Sequence, residues 1–177
     1  VFVDVDPMSL NMDPAAAARL IGKKTKAMLA SLTFGNPAMM PELIALCSRM
    51  EIPMIENAGE ALGTTYGQDN AGRWGRIACL GFWSNRQVTT GEGGMFVTSD
   101  DELFERVLTM SNHGRARGQT RQFWPDMVGF KYKMSNVQAA IGCAQLERIE
   151  SLIDEGTWQE FDKELESKDL LKFTDTK

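Results

Sequence analysis

A single histidine in 177 residues rules out a multi-histidine metal site. The three cysteines, Cys47, Cys79 and Cys143, are widely separated and odd in number. They offer neither a disulfide framework nor a zinc spacing. Reduced thiols in a cytoplasmic protein are the plain expectation. No apolar run is long enough for a bilayer, and the first residues do not resemble a signal peptide, so no membrane partner is expected. Basic charge is scarce too. The net charge of −5 and pI near 5.0 argue against a nucleic-acid surface, despite the local pairs Arg115/Arg117 and Lys131/Lys133.

What is present suits a globular chain. Apolar residues make up 43% and charged residues 24%, enough apolar content for a buried core and not the profile of a disordered chain. Strand-like runs alternate with helical patterns, the signature of an α/β sheet with crossover helices. Val1–Val5, Ala27–Leu32, Ile52–Ile55, Ile77–Phe82 and Met95–Thr98 read as strands. Asp13 caps a predicted helix that opens with Pro14 and runs to Ile21. Leu43, Ile44, Leu46, Cys47 and Met50 give a second helix its apolar face. Ser99 with Glu102, and Ser135 with Gln138, have capping-box spacing. The first pair heads a helix to about Asn112, and the second a long helix to about Ile153. A last amphipathic piece spans Trp158 to Leu165.

The segment from Phe82 to Met95 carries the most chemistry. It holds an aromatic pair, Phe82-Trp83, then Arg86, then the turn Thr89-Thr90-Gly91-Glu92-Gly93-Gly94. Glycines there fit a tight turn with positive φ, and since no helix follows, this is no dinucleotide fingerprint. Ligands of open α/β sheets bind beyond the carboxyl ends of the strands. Asn57 follows one predicted strand and Arg86 another, so the two are expected to face one crevice. Glu56, one residue from Asn57, should point to the opposite face. His113, just past a helix, reads as a C-terminal cap or dipole partner.

Together these stretches resemble the DegT/StrS-type family of nucleotide-sugar aminotransferases, which depend on pyridoxal phosphate (PLP). The segments carrying the resemblance are Val3-Asp4-Val5-Asp6-Pro7 with Asn11-Met12-Asp13-Pro14, Phe34-Gly35-Asn36-Pro37-Ala38, Ile55 to Gly63, Thr89 to Met95 and Gly129 to Ala140, in the family's order. The wording of Glu60-Ala61-Leu62-Gly63 and Gly129-Phe130 is nearest to the perosamine-synthase branch. The resemblance implies an α/β architecture, the αβα large domain of the type I PLP-dependent aminotransferase fold, with a mostly parallel sheet truncated at both ends. Residues 1–153 match the central part of that PLP-binding domain, and 154–177 the start of the connection to a small C-terminal domain. It also implies a homodimer with its site at the interface, a nucleotide-sugar substrate and PLP as cofactor.

Position by position, the resemblance places Arg86 where the family has its Schiff-base lysine. A guanidinium is delocalised and can neither condense with an aldehyde nor shuttle a proton near neutral pH. Asn57 falls where an aspartate pairs with the pyridine nitrogen, and an amide has no charge to hold that proton. Glu60 falls near the cofactor ring. Gly81 stands where a phosphate-binding serine is common, and Lys131 where an asparagine reaches the phosphate across the dimer. The implied function is transamination of a keto sugar nucleotide in deoxy-amino-sugar and surface-polysaccharide biosynthesis, on a scaffold that lacks the covalent anchor. The alternatives are a relative that binds PLP, its amine form or a sugar nucleotide without a covalent bond, as dehydratases of the family do, and a non-catalytic piece of the fold.

Overall fold

The computed structural model describes residues 1–155. A four-stranded sheet forms its centre, in the order β1 (Met28–Ser31), β2 (Met54–Asn57), β5 (Ile77–Gly81), β6 (Gly94–Val97). β1, β2 and β5 run parallel, and β6 returns antiparallel to β5. A small hairpin, β3 (Thr65–Tyr66) with β4 (Asp69–Asn70), lies between β2 and β5 in sequence. The hairpin is absent from the sequence expectations; its turn carries Gly67 at φ 63, a conformation that suits glycine.

The parallel strands need crossovers, and α2 (Met40–Arg49) supplies the one between β1 and β2. Pro41 sits in its first turn, where a missing N–H costs nothing. Its buried residues, Met40, Leu43, Leu46 and Cys47, recur at helical spacing. They pack with Met28, Ala30 and Met54 from one face of the sheet. Burying a leucine such as Leu43 contributes roughly 1.5–3 kcal/mol. α1 (Pro14–Leu20) adds Ala17 to this core, and Asp13 caps it by accepting from the N–H groups of Ala15 and Ala16. The opposite face of the sheet leaves Leu29 and Cys79 exposed.

Alternation along β2 separates two carboxyl-end neighbours as expected. Asn57 is exposed, whereas Glu56 is fully buried on the other face. Glu56 accepts from Gly72 N at 2.7 Å and from Gly75 N, and so pins the loop after the hairpin beneath the sheet. A carboxylate this deep remains only because two backbone donors satisfy it.

Three sequence expectations change. Val1–Val5 is not a strand; it makes only an isolated bridge, Val5 to Met12, because Asp6 turns the chain at once by accepting from Met8 and Ser9 N–H groups. Helix α3 (Asp101–Ser111) is capped by Asp100, not Ser99. The Asp100 carboxylate accepts from Leu103 N at 3.0 Å, and a carboxylate acceptor also suits the positive end of the helix dipole. The long helix after Ser135 is two helices, α4 (Asn136–Leu146) and α5 (Ile149–Glu155), separated at Glu147-Arg148. Its start is as read: Ser135 and Gln138 form a reciprocal capping box. The piece from Trp158 to Leu165 lies outside the described residues.

Past α3 the chain makes a closed loop. His113 ends the helix at φ 59 and its N–H donates to Phe130 O. Gly114, at φ 75, lies directly against the backbone of Met127 and Gly129. No side chain fits at that crossing, so glycine is required on both sides.

Candidate functional site

The three parallel strands end side by side. In register, Ser31 pairs with Asn57 and Asn57 with Cys79, two residues before β5 ends at Gly81, so the carboxyl-terminal parts of β1, β2 and β5 form one ledge. The loops that leave it converge. After β2 the chain runs through Ala58 and Gly59 to Glu60. After β5 it runs through Phe82 and Trp83 to Arg86, and then through the glycine turn into β6. That turn is held by Thr90 N to Phe82 O at 2.9 Å, Phe82 N to Gly93 O at 3.0 Å and the Thr90 hydroxyl to Glu92 O at 2.6 Å. Gly91 and Gly93 take φ 78 and 139, as the sequence predicts for the turn. Helix α4 braces it from outside, through Gln145 Oε1 accepting from Thr89 N and Gln138 Nε2 donating to Glu92 O.

Arg86 is the centre of the ledge. Only 11% of its side chain is exposed. Its Nη2 lies 3.0 Å from Glu60 Oε1. The guanidinium also covers the ring of Trp83, 4.9 Å from the centroid, a cation–π arrangement. Its Nε is buried and has no hydrogen-bond partner. Glu60 is held from two further directions: its Oε2 accepts from Phe34 N at 2.6 Å, and its backbone carbonyl accepts from Gln87 Nε2 at 3.4 Å. One carboxylate therefore joins the turn after β1 to the loop after β5.

Asn57 has its amide committed. Nδ2 donates to Ser31 Oγ at 3.1 Å, and Oδ1 accepts from Gly59 N at 3.3 Å. Gly81 and Gly59 cross closely; a Cβ on Gly81 would stand 3.0 Å from the Gly59 carbonyl oxygen. Asn57, Glu60, Gly81 and Arg86 are thus linked through one short stretch around Gly59. Lys131 is not linked to them. Its backbone bridges Asn112 at the end of α3, its side chain is exposed, and among the described residues it makes no ion pair.

Several contacts had no signal in the sequence. Glu60 lies 26 residues from both Phe34 and Arg86, and no local pattern pairs them. Ser31 and Asn57 meet only because parallel register puts them abreast. The Trp83 contact has a faint local cue: the two residues lie three apart in a turn in which Arg86 N donates to Trp83 O. Asn11 is buried and pins the turn after β1, accepting from Thr33 N and donating to Asn36 O.

Two other features carry less chemistry. A cleft of about 740 Å³ runs along the outer edge of β1, lined by residues such as Leu20, Ile21 and Leu29, but it includes none of Asn57, Glu60 and Arg86. The Cys79 thiol sits in the next register position to Asn57, and desolvation pushes its pKa up, which disfavours the nucleophilic thiolate. Among the described residues there is no cluster of His, Cys, Asp and Glu suited to a metal, and no helix long and apolar enough to cross a membrane.

Known proteins are similar to this chain in sequence and in fold. GDP-perosamine synthase of Caulobacter vibrioides is 39% identical over 150 residues, 85% of this chain and 40% of that protein. The sugar aminotransferase CalS13 from Micromonospora echinospora superposes with a TM-score of 0.82 at 28% identity, over 92% of this chain and 47% of that one. The E. coli GDP-4-keto-6-deoxy-D-mannose-3-dehydratase, solved with bound hydrated PLP, superposes with a TM-score of 0.77 at 26% identity, over 84% of this chain and 42% of that one. The chain therefore spans less than half the length of these relatives, and its fold is that of the type I PLP-dependent aminotransferases, mixed and mostly parallel. The model of the DegT/DnrJ/EryC1/StrS aminotransferase family matches residues 1–174. This chain belongs to the DegT/DnrJ/EryC1/StrS aminotransferase family.

Proposed function

We propose that this chain is the central part of a PLP-binding large domain from nucleotide-sugar biosynthesis in which the covalent anchor has been lost, so that it does not transaminate. Residues 1–153 belong to that domain, and 154–177 begin the connection to a smaller one. The observation that carries the proposal is the state of Arg86. The guanidinium is packed on Trp83 and ion-paired to Glu60. A guanidinium offers no neutral primary amine with which to bond an aldehyde.

The other positions agree. PLP, when bound, supplies an electron sink at its pyridine ring. Asn57 offers that ring an amide already engaged by Ser31 and Gly59, with no negative charge to retain a proton on nitrogen. Gly81 offers no hydroxyl to a phosphate, and the Gly59 carbonyl restricts the space where one would start. These residues do not fit a covalently held, ring-protonated cofactor. Removing one positioned acid–base group costs on the order of 10²–10⁴ in rate, and here the anchor is lost as well. In this proposal the whole protein is a cytoplasmic homodimer with its site at the subunit interface, a nucleotide sugar is the ancestral substrate, and Lys131 approaches the phosphate of the partner's site.

The dehydratase relative, solved with hydrated PLP, favours a second reading, in which the crevice holds PLP or its amine form without a bond. One experiment separates the readings. The purified protein is mixed with PLP, reduced with borohydride, denatured and weighed by mass spectrometry. No pyridoxyl adduct is expected in the ledge. Retention of PLP on the native protein without an adduct supports the second reading, and an adduct on any lysine of the crevice overturns both.

A further inference from the structure

The buried Nε of Arg86 has no acceptor, although the guanidinium beside it is paired. A buried donor without an acceptor forfeits the hydrogen bond it had to water, so such atoms call for an explanation. Glu60 meets the fork through Nη2 alone, with one oxygen, and spends its other oxygen on Phe34 N. A guanidinium binds oxyanions best through two parallel N–H groups, and here one of those two is unspent.

We propose that Arg86 is an oxyanion receptor and that Glu60 is its resident counter-ion, displaced when a small carboxylate or phosphate binds. The ligand lays two oxygens along Nε and Nη2, and the unpaired donor gains its acceptor. Glu60 remains tethered to Phe34 N through Oε2, so it leaves Arg86 without leaving the ledge. Its side chain is 34% exposed, which gives the released oxygen access to water. Trp83 keeps the guanidinium plane in place. No bond is made or broken; the step is an exchange of one anion for another.

The inference concerns the same crevice as the proposed loss of transamination, but it needs no PLP, so the two fail separately. The probes are acetate and inorganic phosphate, each titrated at constant ionic strength into the PLP-free protein and followed by calorimetry. The emission of Trp83 is read in parallel, with Trp83→Phe identifying its share. Saturable binding of one probe is expected and names the oxyanion class. Glu60→Gln should tighten it by about three- to fivefold, the scale of losing a competing, partly exposed ion pair. Arg86→Gln should weaken it by on the order of tenfold, and Arg86→Lys should retain part of it as a point charge. Circular dichroism confirms that each variant is folded. Absence of binding in both wild type and Glu60→Gln, equal binding in wild type and folded Arg86→Gln, or no gain in Glu60→Gln overturns the proposal.

Discussion

Glu60 and Arg86, 26 residues apart, meet at 3.0 Å and tie the loop after β2 to the loop after β5. The pair is unequal in its surroundings: the arginine is almost enclosed, the glutamate partly in water. Its strength should therefore lie at the upper end of the range for exposed pairs. A double-mutant cycle with Arg86→Met and Glu60→Gln, read by urea unfolding, is expected to give a coupling of about 1 kcal/mol. Additive single effects would mean that the contact holds nothing together.

Glu56 is the more demanding carboxylate. It is wholly buried, and its partners are backbone N–H groups at Gly72 and Gly75. Glu56→Ala leaves both donors without an acceptor beneath the sheet. It should lower stability by about 3 kcal/mol, measured from the urea midpoint. Amide exchange around 72–75 should accelerate with it; unchanged protection there would contradict the assigned role.

Gly114 faces the Met127 carbonyl and the Gly129 N–H across the loop crossing, at positive φ. Gly114→Ala adds a methyl group where no space exists, in a backbone region that alanine avoids. Opening of the 114–129 loop is expected, with faster proteolysis between Arg115 and Val128 and a loss of roughly 2 kcal/mol or more. The same change at Gly118, also at positive φ but with no atom within 4 Å, should cost only the strain, about 1 kcal/mol.

Asp100 sets an acid limit. Arg76 donates to its carboxylate at 2.6 Å and Leu103 N at 3.0 Å, and these hold its pKa below the ordinary 3.8. A depressed folded pKa means that the unfolded chain takes up the proton first. The stabilisation is complete above about pH 4 and is lost as pH falls through the lower, folded value. Asp6 acts in the same sense through the N–H and hydroxyl of Ser9. Asp100→Asn should flatten the acid limb of a stability-against-pH curve while leaving the neutral plateau slightly lower. An unaltered limb would show that Asp100 does not contribute to it.

Much of the fold was legible because it depends on short-range chemistry. The strand expected at Ile52–Ile55 and found two residues on at Met54–Asn57, the Asp13 cap, the Ser135–Gln138 box and the glycine turn after Arg86 each rest on a few adjacent residues. Alternation along one strand was enough to send Glu56 and Asn57 to opposite faces. Errors arose where neighbours compete. Ser99 and Asp100 both offer a cap, and the carboxylate took it. Val1–Val5 has strand composition, but Asp6 diverts the chain into a turn.

The identities of Arg86 and Asn57, fixed in the sequence, already decided that the first position carries no primary amine and the second no carboxylate. Only the folded chain decided what those residues do instead. The Glu60 counter-ion, the unpaired Nε, the Ser31 partner and the Gly59–Gly81 crossing all join residues distant in sequence. Such contacts follow from parallel strand register and from where loops land after crossing the sheet, and these are set by packing of the whole core, not by any local run of residues.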